Sequence, residues 1–113
     1  MASLSTHVLD TAQGRPAEGL ALALYRLGAA GREALGEFRT DADGRVAGGL
    51  LQQAVTPLGE YEIEFNAGDY LRANGGTDDY LTRVTIRFSI YDQTHYHVPL
   101  LLSSFAYSTY RGS

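Results

Sequence analysis

The 113-residue chain has no cysteine, no tryptophan and no lysine. Without cysteine there are no disulfides, no thiol nucleophile and no thiolate metal ligand, and the redox compartment is left open. Without lysine there is no Schiff-base or amine-nucleophile chemistry, and all nine basic residues are arginine. Positive charge is scarce as well. The formal net charge is −4 with no arginine cluster to offset it, which argues against a nucleic-acid partner. Nowhere do ~18 apolar residues run together, so no transmembrane helix and no membrane partner are expected. The opening "MASLSTHVLD" lacks the basic n-region and apolar run of a signal peptide. The expected location is cytoplasmic, or periplasmic if a leader has been removed.

Hydrophobic residues make up 44% of the chain and charged residues 19%, the balance of a globular protein that can bury a core. A single domain over residues 1–113 is expected, since domains cluster near ~100–150 residues. The dominant hydrophobic period is two. Val84, Ile86, Phe88 and Ile90 alternate with Thr85, Arg87, Ser89 and Tyr91, and Tyr61, Ile63 and Phe65 alternate with Glu60, Glu62 and Glu64. Both segments read as half-buried strands, the glutamates forming a solvated outer stripe. Leu20, Leu22 and Leu24 share a third such face, between Gly19 and Gly28. "STHVLDT" and "HVPLLLSSFAYSTY" complete the set; Pro99 in the latter predicts an edge, a bulge or an amide with no partner strand. One segment departs: Asp69 to Ala73, ending on Asn74-Gly75-Gly76, reads as a helix of about two turns with a glycine stop. The expected fold is mainly β, a two-sheet antiparallel sandwich with one short helix.

There are three histidines, His7 near one end and His95 and His97 near the other. His95 and His97 fall on one strand face, with Tyr96 opposite. Together with His7 they form a set that suits a zinc site with an open position for water; the plain alternative is a pair of exposed strand histidines. A metal-free reading uses histidine as general base or acid, with Arg45 or Arg111 holding an oxyanion through forked donors. Arg45 follows the Asp43-Gly44 turn, where a new strand is expected. Asp41-Ala42-Asp43-Gly44 lacks the third acidic ligand and closing glutamate of a calcium loop and reads as a turn. Ser103, Ser104, Ser108 and Ser113 have no nucleophile-elbow glycines around them. The last residues, "STYRGS", follow the apolar Val98–Tyr107 stretch without a linker. They read as the ordered end of a last strand, with Gly112 giving the backbone freedom to turn Ser113 inward.

"LSTHVLDTAQGRPA" and "HYHVPLLLSSFAYSTYRGS" resemble the opening and closing signatures of the transthyretin-like family, and within it the 5-hydroxyisourate hydrolases. "FRTDADGR" and "YEIEFNAGDYLRANG" are similar in kind, so the resemblance spans the chain. Ser104 and Ala106 stand where that family usually has proline and glycine. The resemblance implies a prealbumin-like sandwich of two four-stranded sheets, assembled as a homotetramer (a dimer of dimers) with active sites in the channel between dimers. It implies hydrolysis of a small-molecule substrate, 5-hydroxyisourate, in urate degradation, without metal or other cofactor. On matching positions it implies a catalytic set of His7, Arg45, His97 and Ser113, with substrate contacts from His7, Arg45, Tyr110, Arg111 and Gly112. Three other readings stay open: a carrier of an aromatic ligand on the same fold, a zinc-dependent cyclic amide hydrolase using His7, His95 and His97, and a structural module.

Overall fold

The computed structural model describes residues 2–51 and 55–113. Its strands are β1 (Ser3–Asp10), β2 (Arg15–Pro16), β3 (Ala21–Gly28), β4 (Gly31–Arg39), β5 (Gly59–Phe65), β6 (Val84–Ile90), β7 (His95–Leu102) and β8 (Tyr107–Thr109), with one helix, α1 (Ala67–Ala73), between β5 and β6. They form two four-stranded sheets, ordered β2-β1-β7-β8 and β4-β3-β5-β6. Alternation explains the core between them. Leu4 and Val8 of β1, Leu22 and Leu24 of β3, Tyr61, Ile63 and Phe65 of β5, and Val98, Leu100 and Leu102 of β7 are all buried in one cluster. Each such side chain contributes roughly 1.5–3 kcal/mol by leaving water. Among the described residues no helix is long and apolar enough to cross a membrane.

The sandwich is as expected, with one correction to its antiparallel character. β1 and β7 run parallel, from Ser3↔His95 to Asp10↔Leu102. Parallel neighbours need a long crossover, and here the whole second sheet and α1 supply it. The two terminal motifs thereby become adjacent strands. Their alternation turns Leu4, Thr6 and Val8 inward and leaves Ser3, Ser5, His7, His95 and His97 on the outer face.

Pro99 lies in β7, between β1 and β8, and interrupts the ladder to β8. Pairing with β8 runs from Leu102↔Tyr107 to Leu100↔Thr109, and the same register resumes only at the isolated bridge His97↔Gly112. Proline has no N–H to donate across the gap, and its carbonyl, without a ladder partner in β8, is satisfied by the Thr109 hydroxyl, which donates to it at 2.7 Å. β8 therefore ends at Thr109, earlier than the expected strand through Ser113. In the preceding turn Ser103 N–H donates to Ala106 O at 2.9 Å, and no non-glycine residue there has positive φ, so Ala106 sits without strain. The Ser104 hydroxyl accepts from Thr77 N–H at 3.1 Å, tying this turn to the segment after α1.

The helix begins at Ala67, two residues before the expected start, because Asn66 caps it by accepting from Asp69 N–H. It stops at Asn74, where Gly76 N–H closes on Leu71 O at 2.8 Å. Of the β5 glutamate stripe only Glu60 is solvated as expected; Glu62 and Glu64 are not. Glu62 is only 5% exposed, held by Arg32 at 3.4 Å and Arg87 at 2.8 Å. Glu64 is bound by Arg32 at 3.2 Å and Arg83 at 3.4 Å. The guanidinium groups come from β4 (Arg32), from β6 (Arg87) and from the residue just before β6 (Arg83), and they pair with carboxylates that would otherwise be buried alone.

Tyr70 fastens α1 to β1. Its hydroxyl donates to buried Asp10 Oδ2 at 2.8 Å, while Asp10 Oδ1 accepts from Gln13 N–H at 3.0 Å. Burial, reinforced by Asp10, pushes the Tyr70 phenol up to about 12. Tyr70→Phe leaves a buried carboxylate one donor short and is expected to cost about 1–3 kcal/mol, read as a lower urea midpoint. Between the unfolded phenol value near ~10 and about 12, only the unfolded state ionises. Stability is thus lost as pH rises through that window, and Tyr70→Phe removes this residue's share of the loss.

Candidate active site

The outer face of the β2-β1-β7-β8 sheet collects the chain's histidines. β1 supplies His7, half-buried; β7 supplies exposed His95 and half-buried His97. The His95 and His97 rings stack, 6.5 Å between centroids and 16° apart, as side chains two residues apart on one strand face should.

Arg45 reaches this face through a docked loop. Asp41 Oδ1 accepts from Asp43 N–H at 2.9 Å and Arg45 N–H at 3.1 Å, an Asx-type turn. Gly44 has φ +74°, and a Cβ there would stand 2.4 Å from Val8 O, so only glycine allows the approach. The result is a Gly44 carbonyl accepting from Val8 N–H at 2.8 Å and an isolated antiparallel bridge His7↔Arg45. The strand expected after Gly44 is thus a single bridge, and the Asp41–Gly44 turn is as read. Arg32, Arg72, Arg83 and Arg87 are each engaged by carboxylates. Arg45 is exposed and has no carboxylate partner among the described residues, which leaves its forked donors available to an anion.

His97 is gripped on two sides. Ser5 Oγ lies 2.7 Å from Nδ1, and Gly112 packs on the opposite ring edge, where an added Cβ would be 2.5 Å from Cδ2. Gly112 N–H donates to His97 O at 2.8 Å. Its φ is not positive, so glycine is required here by the close approach to the imidazole, where a Cβ has no room. Exposed Ser113 follows directly. Burial lowers the His97 pKa below its ordinary value, and the charges of Arg45, His95 and His7 lower it further. A neutral imidazole beside an unpaired guanidinium can take a proton from water while the arginine holds the oxyanion that forms.

Tyr110 and Arg111 do not join this cluster within one chain. Arg111 donates to Tyr91 Oη at 2.6 Å and His95 O at 3.1 Å, with its guanidinium 4.2 Å from the Tyr96 ring centre. Both residues border a cavity of about 160 Å³ at the sandwich edge, with Phe88, Tyr91, Tyr96 and Val98. The zinc arrangement requires His7, His95 and His97 to converge, and among the described residues no three metal-ligating side chains do so. Ser3 and Ser5 were not singled out from sequence. Ser3 Oγ lies 2.5 Å from His95 Nδ1 and Ser5 Oγ 3.0 Å from His95 Nε2. Strand alternation puts both serines on the His7 face, but only the parallel β1–β7 pairing brings the other histidines to them.

A family model described as HIUase/Transthyretin family matches residues 4–112. The chain belongs to that family. Over 113 residues it is 53% identical to a 5-hydroxyisourate hydrolase of Mesorhizobium japonicum, covering 97% of this chain and 91% of the relative. Among solved structures, 5-hydroxyisourate hydrolase of Klebsiella pneumoniae superimposes with a TM-score of 0.85 at 37% identity, over 100% of both chains. Transthyretin of Sparus aurata gives 0.89 at 29% identity, over 97% of this chain and 96% of its own. The family thus contains both hydrolases and transthyretins on this sandwich, and the side chains of the site must distinguish them.

The electrostatics predict a titration. The His97 ring proton, followed by NMR, should titrate below the ordinary histidine value of ~6.5. Arg45→Ala should raise that midpoint without restoring it fully, because burial is the larger cause.

Proposed function

We propose that this chain hydrolyses 5-hydroxyisourate to 2-oxo-4-hydroxy-4-carboxy-5-ureidoimidazoline, the step after urate oxidation in purine catabolism. The observation that carries this reading is the bridge seating Arg45 beside His7, one strand from His97. It occurs in a chain similar along its length to a 5-hydroxyisourate hydrolase. A carrier of an aromatic ligand has no use for a neutral base beside an unpaired arginine.

In this reading water loses a proton to His97 Nε2 as its oxygen bonds to the acyl carbon of the substrate ring. The carbonyl oxygen becomes the oxyanion and is held by Arg45. Collapse of the adduct breaks the ring C–N bond, and the proton passes from His97 to the departing nitrogen. His97 returns to its neutral form, and the new carboxyl group ionises to solvent. His7 orients the ring by hydrogen bonding, Ser113 positions the water, and Gly112 keeps bulk off the His97 imidazole. Tyr110 and Arg111 lie apart from this cluster within one chain, and the reading gives them substrate contacts only in the assembled protein.

The same reading takes a homotetramer, a dimer of dimers whose central channel holds the sites. Its support is the openness of the site: Ser3, Arg45, His95 and Ser113 are all exposed in the single chain. A second sheet laid over this face would exclude water and strengthen the arginine–oxyanion attraction.

The test follows 5-hydroxyisourate, generated in place by uricase, through its ultraviolet decay. The wild-type chain is expected to accelerate decay well above the spontaneous rate, and no acceleration would contradict the reading. Arg45→Ala is expected to lower kcat on the order of 10²–10³, the usual loss for an oxyanion donor; a near wild-type kcat would remove Arg45 from the step.

A further inference from the structure

Four side chains on the outer face of β1 and β7 touch in sequence. Ser3 Oγ is 2.5 Å from His95 Nδ1, His95 Nε2 is 3.0 Å from Ser5 Oγ, and Ser5 Oγ is 2.7 Å from His97 Nδ1. The parallel register alternates them across the two strands, Ser3 opposite His95 and Ser5 opposite His97. We infer that Ser5 and His95 are positioning residues for His97: their hydrogen-bonded line, ending at Ser3, holds the His97 proton on Nδ1 and leaves Nε2 with the lone pair that faces the substrate. This rests on the reading of His97 as the base of the proposed hydrolysis.

Proton bookkeeping allows more than one arrangement. A neutral imidazole has one N–H and one acceptor nitrogen, and a serine has one O–H and two lone pairs, so Ser5 can donate to only one of its two histidines but can accept from both. In one arrangement His97 Nδ1–H donates to Ser5, Ser5 O–H donates to His95 Nε2, and His95 Nδ1–H donates to Ser3. In another every bond reverses, and His97 is left with its proton on Nε2. In a third arrangement Ser3 donates to His95 Nδ1 and both histidines donate to Ser5, which again keeps the His97 proton on Nδ1; each arrangement satisfies the line internally, so the surroundings choose. The charged and titratable groups acting on His97 are Arg45, His95 and His7. Arg45 and His7 lie on the same outer face, and a positive field there favours a lone pair pointing outward over an N–H. Ser5 occupies the Nδ1 side and Gly112 the Cδ2 side, so Nε2 is the nitrogen at the open edge of the ring. Among the described residues it has no hydrogen-bonding partner. The role parallels that of the carboxylate in a serine-protease triad, which orients a histidine and sets its tautomer. Here a serine and a second histidine do so without adding a negative charge.

The test is a two-bond nitrogen–proton correlation spectrum of histidine-labelled protein, taken without substrate above the His97 midpoint. The wild-type His97 is expected as the Nδ1–H tautomer. Ser5→Ala removes the acceptor and should move the proton toward Nε2, and Ser5→Thr, which keeps a hydroxyl and suits a strand, should restore the wild-type form. His95→Ala, at an exposed position, breaks the next link and should shift the tautomer the same way by a smaller amount. In the ultraviolet assay Ser5→Ala should lower kcat roughly 10- to 100-fold, part of what a general base supplies, with a smaller change in KM and recovery in Ser5→Thr. An Nε2–H tautomer in the wild type, or an unchanged tautomer in Ser5→Ala and His95→Ala, overturns the inference. Because the spectrum needs no substrate, a wild-type chain inactive on 5-hydroxyisourate would sink the proposed function and still leave the tautomer result to decide this one.

Discussion

The parallel ladder between β1 and β7 is the contact on which the site depends. It joins residues about ninety positions apart, Ser3↔His95 through Asp10↔Leu102, and a one-residue slip of β7 would turn His95 and His97 away from the His7 face. The register is held from below. Leu4, Val8, Leu100 and Leu102 are buried between the sheets, and the buried Thr6 hydroxyl donates to Val98 O at 2.7 Å. Apolar burial on one face of the sheet thus fixes which polar side chains meet on the other. The core, and not the site itself, supplies the energy that keeps His7, Ser5, His95 and His97 in place.

Two further attachments complete the arrangement, and each works by close backbone approach. Gly44 lets the Asp41–Arg45 turn lie against Val8 O, and Gly112 lets the chain end lie against the His97 ring. Both bring a loop onto the ladder by a main-chain hydrogen bond, Val8 N–H to Gly44 O and Gly112 N–H to His97 O, each 2.8 Å. Pro99 shapes the second attachment. By breaking the β7–β8 ladder it leaves Tyr110 and Arg111 outside regular pairing, and Arg111 takes its bonds from Tyr91, Thr94 and His95 O at the sandwich edge. One sheet therefore presents two different polar surfaces: a histidine–arginine face, and an aromatic edge with its own arginine.

Much of this was legible in the sequence because period-two alternation is a local property. Val84 to Ile90, Tyr61 to Phe65 and Leu20 to Leu24 can be assigned without knowing what they pack against. The likeness of the two terminal motifs and of the FRTDADGR segment to one family then named His7, Arg45, His97 and Ser113 together. What could not be read is what depends on partners distant in sequence. The parallel sense of β1 and β7, the burial of Glu62 under Arg32 and Arg87, and the serine contacts of His95 and His97 all require knowing which strand lies beside which. For Gly112 the sequence points to a position where a Cβ is hindered, and only packing reveals that the obstacle is the His97 imidazole. Tyr110 and Arg111 sit beside Gly112 in the chain, yet they border the edge cavity.

The central claim is that the substrate binds on the outer face of the β2-β1-β7-β8 sheet, over His97 and against Arg45. A crystal structure with a non-hydrolysable cyclic analogue of 5-hydroxyisourate tests it most directly. The account predicts the analogue within hydrogen-bonding distance of His97 Nε2 and the Arg45 guanidinium, with the Ser5–His97 contact intact. An analogue bound instead in the edge cavity, against Tyr91, Tyr96 and Arg111, with the histidine face empty, would contradict it.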